Sequence, residues 1–172
     1  WISSKGKYIK EFEKYFCAYT GVKNATTVSN GTVAIHLALL ALGIGPGDEV
    51  IVPTLTYIAS VNAIAYTGAT PVFVDALEET WQMDPEDVSR KISSRTRAIM
   101  AVHIYGHPCD MDRITSIARA HDLFVIEDCA EAFGSLYKGL HVGSFGNIAT
   151  YSFFGNKTIT TGEGGMVVTN DE

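Results

Sequence analysis

The chain has 172 residues, of which 47% are hydrophobic and 19% charged, and its formal net charge is −6. This balance suits one soluble globular domain with a real core, and the acidic charge argues against nucleic acid or an anionic membrane as the main partner. No apolar run reaches the length of a bilayer span and no signal peptide opens the chain; Cys17, Cys109 and Cys129 form no CxxC pair, so reduced thiols in a cytoplasm are expected.

Taken in chain order, "YIKEFEKYFCAYTG" has apolar residues at helical spacing and ends on Gly21, which suits a helix C-cap. Short apolar strands then alternate with helical stretches. The strands are predicted at 26–29, 49–53, 70–75, 96–103, 123–128, 148–153 and 165–169, and the helices at 32–42, 56–67, 84–92 and 110–121. This alternation implies βαβ units and a largely parallel sheet, so the fold class is α/β. Runs such as "EVIVP", "RAIMAVHI" and "LFVIEDC" are almost wholly apolar, as strands covered on both faces are. The last two strands have no helix-length spacer between them, which predicts an antiparallel final strand. Ligands in such sheets gather at the carboxyl ends of the strands, so polar residues that follow an apolar run are the candidates for chemistry.

The first candidate is Ser29-Asn30-Gly31-Thr32, where a strand runs straight into a helix. Free N–H groups, the helix dipole and the Thr32 hydroxyl suit a phosphate, although a plain N-cap would use the same residues. "ALGIGPGDEVIVP" holds glycines in helix-then-strand order, the reverse of a dinucleotide fingerprint, and reads as a turn. Tyr57 follows the second strand and either stacks on a flat ligand or packs in the next helix. In "VHIYGHPCDM", His103, His107, Cys109 and Asp110 match no established zinc spacing, so a loop or structural histidines are expected there rather than a metal. In "LFVIEDCAEAFGS", neighbouring strand residues face opposite ways, so Glu127 and Asp128 serve different sides. A protonated ring nitrogen would satisfy a buried Asp128, with Glu131 within reach of the same ligand. A capping box of Asp128 and Glu131 fits the same spacing. Finally, Lys157 stands alone between "SFF" and a tract holding Gly162, Gly164 and Gly165, which let backbone approach closely. A phosphate cradle, an aromatic, a strand-end carboxylate and an isolated lysine together form the set that pyridoxal phosphate requires.

The segments "SNGTVAIHLALLALGIGPGDEVIVPTLTYIASVNAI", "GATPVFVD", "HIYGHPCDM", "VIEDCAEAFGS" and "SFFGNKTITTGEGGMV" resemble, in order, the sugar aminotransferases of the DegT/DnrJ/EryC1/StrS type, a branch of the fold type I pyridoxal-phosphate enzymes. The resemblance implies a three-layer α/β/α large domain of the aspartate-aminotransferase kind with a mostly parallel seven-stranded sheet. It implies that Lys157 bonds to the cofactor and then moves protons, that Asp128 pairs with the pyridine nitrogen, and that Glu131 contacts the ring hydroxyl where many relatives carry Gln. Tyr57 would stack on the ring, and Gly31, Thr32 and Ser152 would hold the phosphate. The cofactor would be pyridoxal 5'-phosphate, with no metal. The reaction implied is transfer of an amino group from L-glutamate to a nucleotide-linked 4-keto-6-deoxy sugar, most similar to the GDP-linked case, in a homodimer with a shared active site, for O-antigen synthesis; the alternatives are a UDP- or dTDP-linked ketosugar, or a non-catalytic relative that binds cofactor or sugar. Members that dehydrate the sugar carry histidine in place of the lysine, so Lys157 favours transamination. The chain opens on Trp1 and stops at "VVTNDE", while family members are about twice as long. Residues 1–172 are therefore expected to be the cofactor-binding large domain, a fragment without a short N-terminal segment and a smaller C-terminal domain.

Overall fold

The computed structural model describes residues 6–171. Helix α1 (Lys7–Thr20) stops at Gly21, whose φ of 79° lies in the left-handed region that glycine adopts without strain. There follow β1 (Asn24–Val28), α2 (Gly31–Ala41), β2 (Glu49–Pro53), α3 (Ile58–Tyr66), β3 (Thr70–Val74), α4 (Pro85–Lys91), β4 (Thr96–Val102) and a 3-10 turn at Ile104–Gly106. The chain continues through α5 (Met111–Ala120), β5 (Phe124–Asp128), a small hairpin of β6 (Leu136–Tyr137) and β7 (Leu140–His141), and then β8 (Ile148–Ser152) and β9 (Gly165–Thr169). Side-chain caps start three of the helices. Asn30 accepts from Val33 N, Asp84 from Glu86 N and Asp110 from Arg113 N, each relieving an orphan N–H of the first turn.

Seven strands form one sheet in the order β1-β9-β8-β5-β4-β2-β3. The pairs among β2, β3, β4, β5 and β8 are parallel, and β9 is antiparallel to both β8 and β1. One reversed strand therefore lies among six that share a direction. The expected seven strands and the antiparallel last strand are present. The helix expected from 56 starts at Ile58 because Thr56 and Tyr57 lie outside it, Tyr57 holding the extended N-cap position. Strand β1 runs from Asn24 rather than 26, since its whole length pairs with β9.

Alternation along the strands distributes the core over two faces. On one face Ile35, Leu39 and Ile64 of α2 and α3 pack on Val50, Val52, Met100 and Ile126. On the other, Val88 and Ile114 of α4 and α5 pack on Ile51, Ile99 and Val125, and Phe16 of α1 meets Tyr151 and Phe153 edge-on. The result is the three-layer α/β/α arrangement. No helix among the described residues is long and apolar enough to cross a membrane.

Candidate active site

The shared strand direction brings the carboxyl ends of β1, β2, β4, β5 and β8 to one edge, and reversed β9 delivers its first residue, Gly165, to the same edge beside Val28 and Ser152. A cavity of about 270 Å³ opens there. Gly31, Thr32, Tyr57, Asp128, Glu131, Ser152 and Lys157, which are scattered over more than a hundred positions of sequence, all line it.

Asp128 ends β5 on the α2/α3 side of the sheet and is only 5% exposed. Its Oδ2 accepts from the Ser60 hydroxyl at 2.8 Å and its Oδ1 from the Ala130 N–H at 3.0 Å. Burial pushes its pKa up, and these two donors and the nearby Lys157 pull the other way without cancelling the burial. Two donors leave half of a carboxylate's lone-pair positions for another partner. The capping-box reading of Asp128 and Glu131 does not hold, because no helix follows β5. Glu131 reaches across to the next loop instead, where its Oε2 accepts from Tyr105 N at 2.8 Å.

Lys157 lies in the segment between β8 and β9, its side chain 16% exposed, with Nζ 3.8 Å from Glu131 Oε1. Its backbone N–H donates to Phe154 O, so a tight turn aims the lysine. Glu131 is thereby held from two sides. Tyr105 has a φ of 54°, a left-handed conformation that a bulky residue adopts only under constraint.

At the start of α2, the Asn30 side chain satisfies Val33 N, while Gly31 and Thr32 head the helix with N–H groups that have no intrahelical acceptor. The dipole at this end favours an anion. Close backbone packing closes the cradle: a Cβ on Gly31 would lie 2.8 Å from Ser152 Cβ, and one on Gly165 would lie 2.5 Å from Asn30 O. Of the glycines near the lysine, Gly165 thus serves contact with α2, whereas Gly162 has open space around it and needs glycine for its φ of 84°. The expectation that Tyr57 is either a stacking residue or a core residue resolves against the core, since it is 70% exposed and lines the cavity mouth.

Behind the cavity lies a buried polar cluster. Glu127 faces away from Asp128, and its Oε1 accepts from Phe145 N and Gly146 N while its Oε2 accepts from Gly143 N and His103 Nε2. Burial works to raise its pKa, but His103 and the backbone donors outweigh that and hold it below the usual carboxylate range. Burial disfavours a charged His103, while its hydrogen-bonding neighbours Cys109, Cys129 and Glu127 push its pKa well above the ordinary value. The Cys109 N–H aimed at Nδ1 at 3.1 Å, however, makes that nitrogen an acceptor, so the ring is the neutral Nε2–H tautomer. His103, Glu127 and Cys129 lie close enough to suggest a metal site, but every Glu127 oxygen is already doubly engaged and burial pushes the Cys129 thiol up to about 12. Of the other residues weighed as ligands, Asp110 caps α5 and Cys109 Sγ donates to Val102 O.

Ser60, Thr56 and Ala130 are absent from the sequence-based candidates. Ser60 is a small polar residue in a mostly apolar helix, and its acceptor, Asp128, comes only from β5, 68 residues on.

All of residues 1–172 match the DegT/DnrJ/EryC1/StrS aminotransferase family. GDP-perosamine synthase of Escherichia coli O157:H7 is 72% identical to the chain over 172 residues, covering all of it and 47% of that protein. GDP-perosamine synthase of Caulobacter vibrioides is 60% identical, again over the whole chain and 46% of that protein. The protein Spr1654 of Streptococcus pneumoniae, solved in a PLP form, superposes with a TM-score of 0.95 at 35% identity, over 100% of this chain and 47% of the other. The chain spans about half the length of the curated relatives it matches. With the α/β/α fold, the strand-end cavity and a family match over its full length, this chain belongs to the DegT/DnrJ/EryC1/StrS aminotransferase family.

Proposed function

We propose that this chain is the cofactor-binding large domain of a pyridoxal-phosphate-dependent sugar aminotransferase that passes the amino group of L-glutamate to a GDP-linked 4-keto-6-deoxy sugar, working as a homodimer. One observation carries the reading: a buried carboxylate with free lone pairs, a lysine and a glycine-walled helix N-terminus converge on a single cavity. The identities of 72% and 60% to GDP-perosamine synthases support GDP as the nucleotide.

The residues fit the group. Asp128 is a buried anion without a full cationic partner, which suits a protonated ring nitrogen. The orphan N–H groups of Gly31 and Thr32, with the Thr32 and Ser152 hydroxyls, suit a phosphate dianion. Pyridoxal phosphate supplies a carbonyl that bonds to amines and a ring that takes up the electron pair left when a proton departs from carbon.

The chain's own groups do the rest. Lys157 Nζ would be the amine that holds the cofactor's carbonyl end and, when free, the base and acid that moves a proton between neighbouring atoms. Asp128 keeps the ring nitrogen protonated, and so keeps the ring able to accept electrons. Tyr57, at the cavity mouth, would cover a ring face and exclude water. Glu131, braced by Tyr105 N, lies beside the lysine amine and would orient it, and would offer an acceptor to the ring hydroxyl.

The test uses the full-length protein with pyridoxal phosphate, followed by visible absorbance. A lysine-linked band that bleaches on adding L-glutamate, and returns with a GDP-linked 4-keto-6-deoxy sugar in preference to the UDP- and dTDP-linked ones, is the expected result. A wild-type protein that forms no visible band overturns the proposal. Return of the band with a UDP- or dTDP-linked sugar alone overturns the nucleotide.

A further inference from the structure

Helix α3 bears no charged residue, yet it sends one buried hydroxyl to the centre of the site. Ser60 is 1% exposed and donates to Asp128 Oδ2 at 2.8 Å. Its oxygen lies 3.0 Å from Thr56 Oγ1, one helical turn earlier. A serine has one proton. Because that proton goes to the carboxylate, Thr56 is the donor in the second bond; the other acceptor within its reach, Tyr57 O, is farther away at 3.3 Å. The order is therefore fixed: Thr56 hydroxyl to Ser60 oxygen, Ser60 hydroxyl to Asp128. Each bond in such a chain polarises the next, and the last one ends on a charge.

We propose that Ser60, backed by Thr56, is a positioning residue that fixes the Asp128 carboxylate and keeps the proton shared with the cofactor's ring nitrogen on the nitrogen. The inference rests on the cofactor reading above. The geometry explains why it matters. A side chain that ends a strand can rotate about its terminal torsion, which is soft. Ala130 N holds Oδ1 and Ser60 holds Oδ2, so the carboxylate plane is set at both oxygens. Ala130 N belongs to the backbone and is present whatever the side chain, whereas the Ser60 donor is removable. Without it, Asp128 becomes more basic and draws the ring proton toward itself. The same α3 start also carries Tyr57 at the cavity mouth, so one helix terminus positions both the support of Asp128 and the aromatic that would stack on the ring.

Other titratable groups surround Asp128 and stay constant in the test. They are His103 at the end of β4, held neutral by Cys109 N; Lys157 and Glu131 across the cavity; and Glu127 and Cys129 on either side in sequence. None touches Ser60 in the hydrogen-bond pattern described.

The experiment compares full-length wild type with Ser60→Ala, Ser60→Thr and Thr56→Val, loaded with pyridoxal phosphate labelled with 15N in the ring. It reads the ring-nitrogen NMR shift at fixed neutral pH and the cofactor dissociation constant. Ser60→Ala is expected to move the shift toward that of unprotonated pyridine and to weaken cofactor binding about tenfold, the usual loss for a hydrogen bond to a charged group. Ser60→Thr, which keeps the hydroxyl, is expected to restore both. Thr56→Val is expected to act in the same direction with a smaller effect, and it covers the case in which the alanine variant fails to fold. An Ala variant with unchanged shift and affinity overturns the inference, whether or not its melting temperature falls. So does failure of Thr to restore the Ala defect. A wild type that forms no visible band with the cofactor overturns the functional reading instead.

Discussion

Glu127 and Asp128 are consecutive residues of one strand, and they stand in opposite electrostatic situations on opposite faces of the sheet. Glu127 receives four hydrogen bonds, three from the backbone of the loop before β8 and one from His103. Asp128 receives two and has cavity beside it. The first is a completed structural anion and the second an incomplete one, so substitutions at the two positions should separate stability from activity.

Glu127→Gln should destabilise the protein by about 3 kcal/mol, because an amide nitrogen would face backbone donors in a buried site. The sign with pH follows from its lowered folded pKa: the stabilisation is complete above the unfolded value near 4.3 and is lost as pH falls through the folded one. Chemical denaturation across pH 3–7 checks this, and the variant should show a shallower acid slope than wild type.

Asp128→Asn should do the reverse. The raised folded pKa means that the ionised side chain costs stability at neutral pH, so the cofactor-free variant should be no less stable than wild type. Transamination by the full-length enzyme should nonetheless drop by a factor of about 100 or more, the scale of a lost electrostatic partner in the transition state. Melting temperature without cofactor and steady-state turnover, measured on the same preparation, decide it.

Lys157→Ala should lower turnover by about 1,000-fold or more, within the range ascribed to a positioned acid–base group, and should abolish the visible band. The partly exposed side chain is paired only loosely with Glu131, at 3.8 Å, so the thermal midpoint should move little. Retained steady-state turnover would sink the assignment.

Tyr57→Ala should weaken cofactor binding about five- to tenfold, the value of one aromatic stacking contact, and Tyr57→Phe should leave it nearly unchanged. Because Tyr57 is exposed, neither change should alter folding of the cofactor-free protein. A fluorescence titration with pyridoxal phosphate distinguishes the two.

Gly165→Ala should cost about 2 kcal/mol, since its Cβ would meet Asn30 O, a backbone atom that cannot rotate away. Gly31→Ala meets the Ser152 side chain, at the cradle itself, and should weaken phosphate-dependent binding of the cofactor more than it lowers the unfolding midpoint.

Sequence patterning located the strands because buried parallel strands are apolar throughout, and a charge that ends such a run, as Asp128 does, is conspicuous; Lys157 stood out instead as a lone lysine between an aromatic run and a glycine-rich tract. The edge placement of β1 was not, because its partner β9 lies about 140 positions away and pairing carries no local mark. The β6–β7 hairpin was also missed. Its strands are two residues each, and the turn rests on Lys138 and Gly139, both at positive φ. Ser60 escaped notice for a different reason: a serine in a helix has many ordinary uses, and only the tertiary fold selects this one.

The reversal of β9 has a further consequence for the lysine. Ser152 and Gly165 sit opposite each other in the ladder, so residues 153–164 form a closed loop strung between neighbouring strands, cinched by Phe153 N to Gly164 O and Thr161 N to Phe153 O. Lys157 rides on this loop, on neither helix nor strand. Its reach is therefore metered by contour length: one residue inserted between Ser152 and Lys157 would move the amine within the cavity without breaking a rung of the sheet, so the lysine can be repositioned independently of the scaffold that holds it.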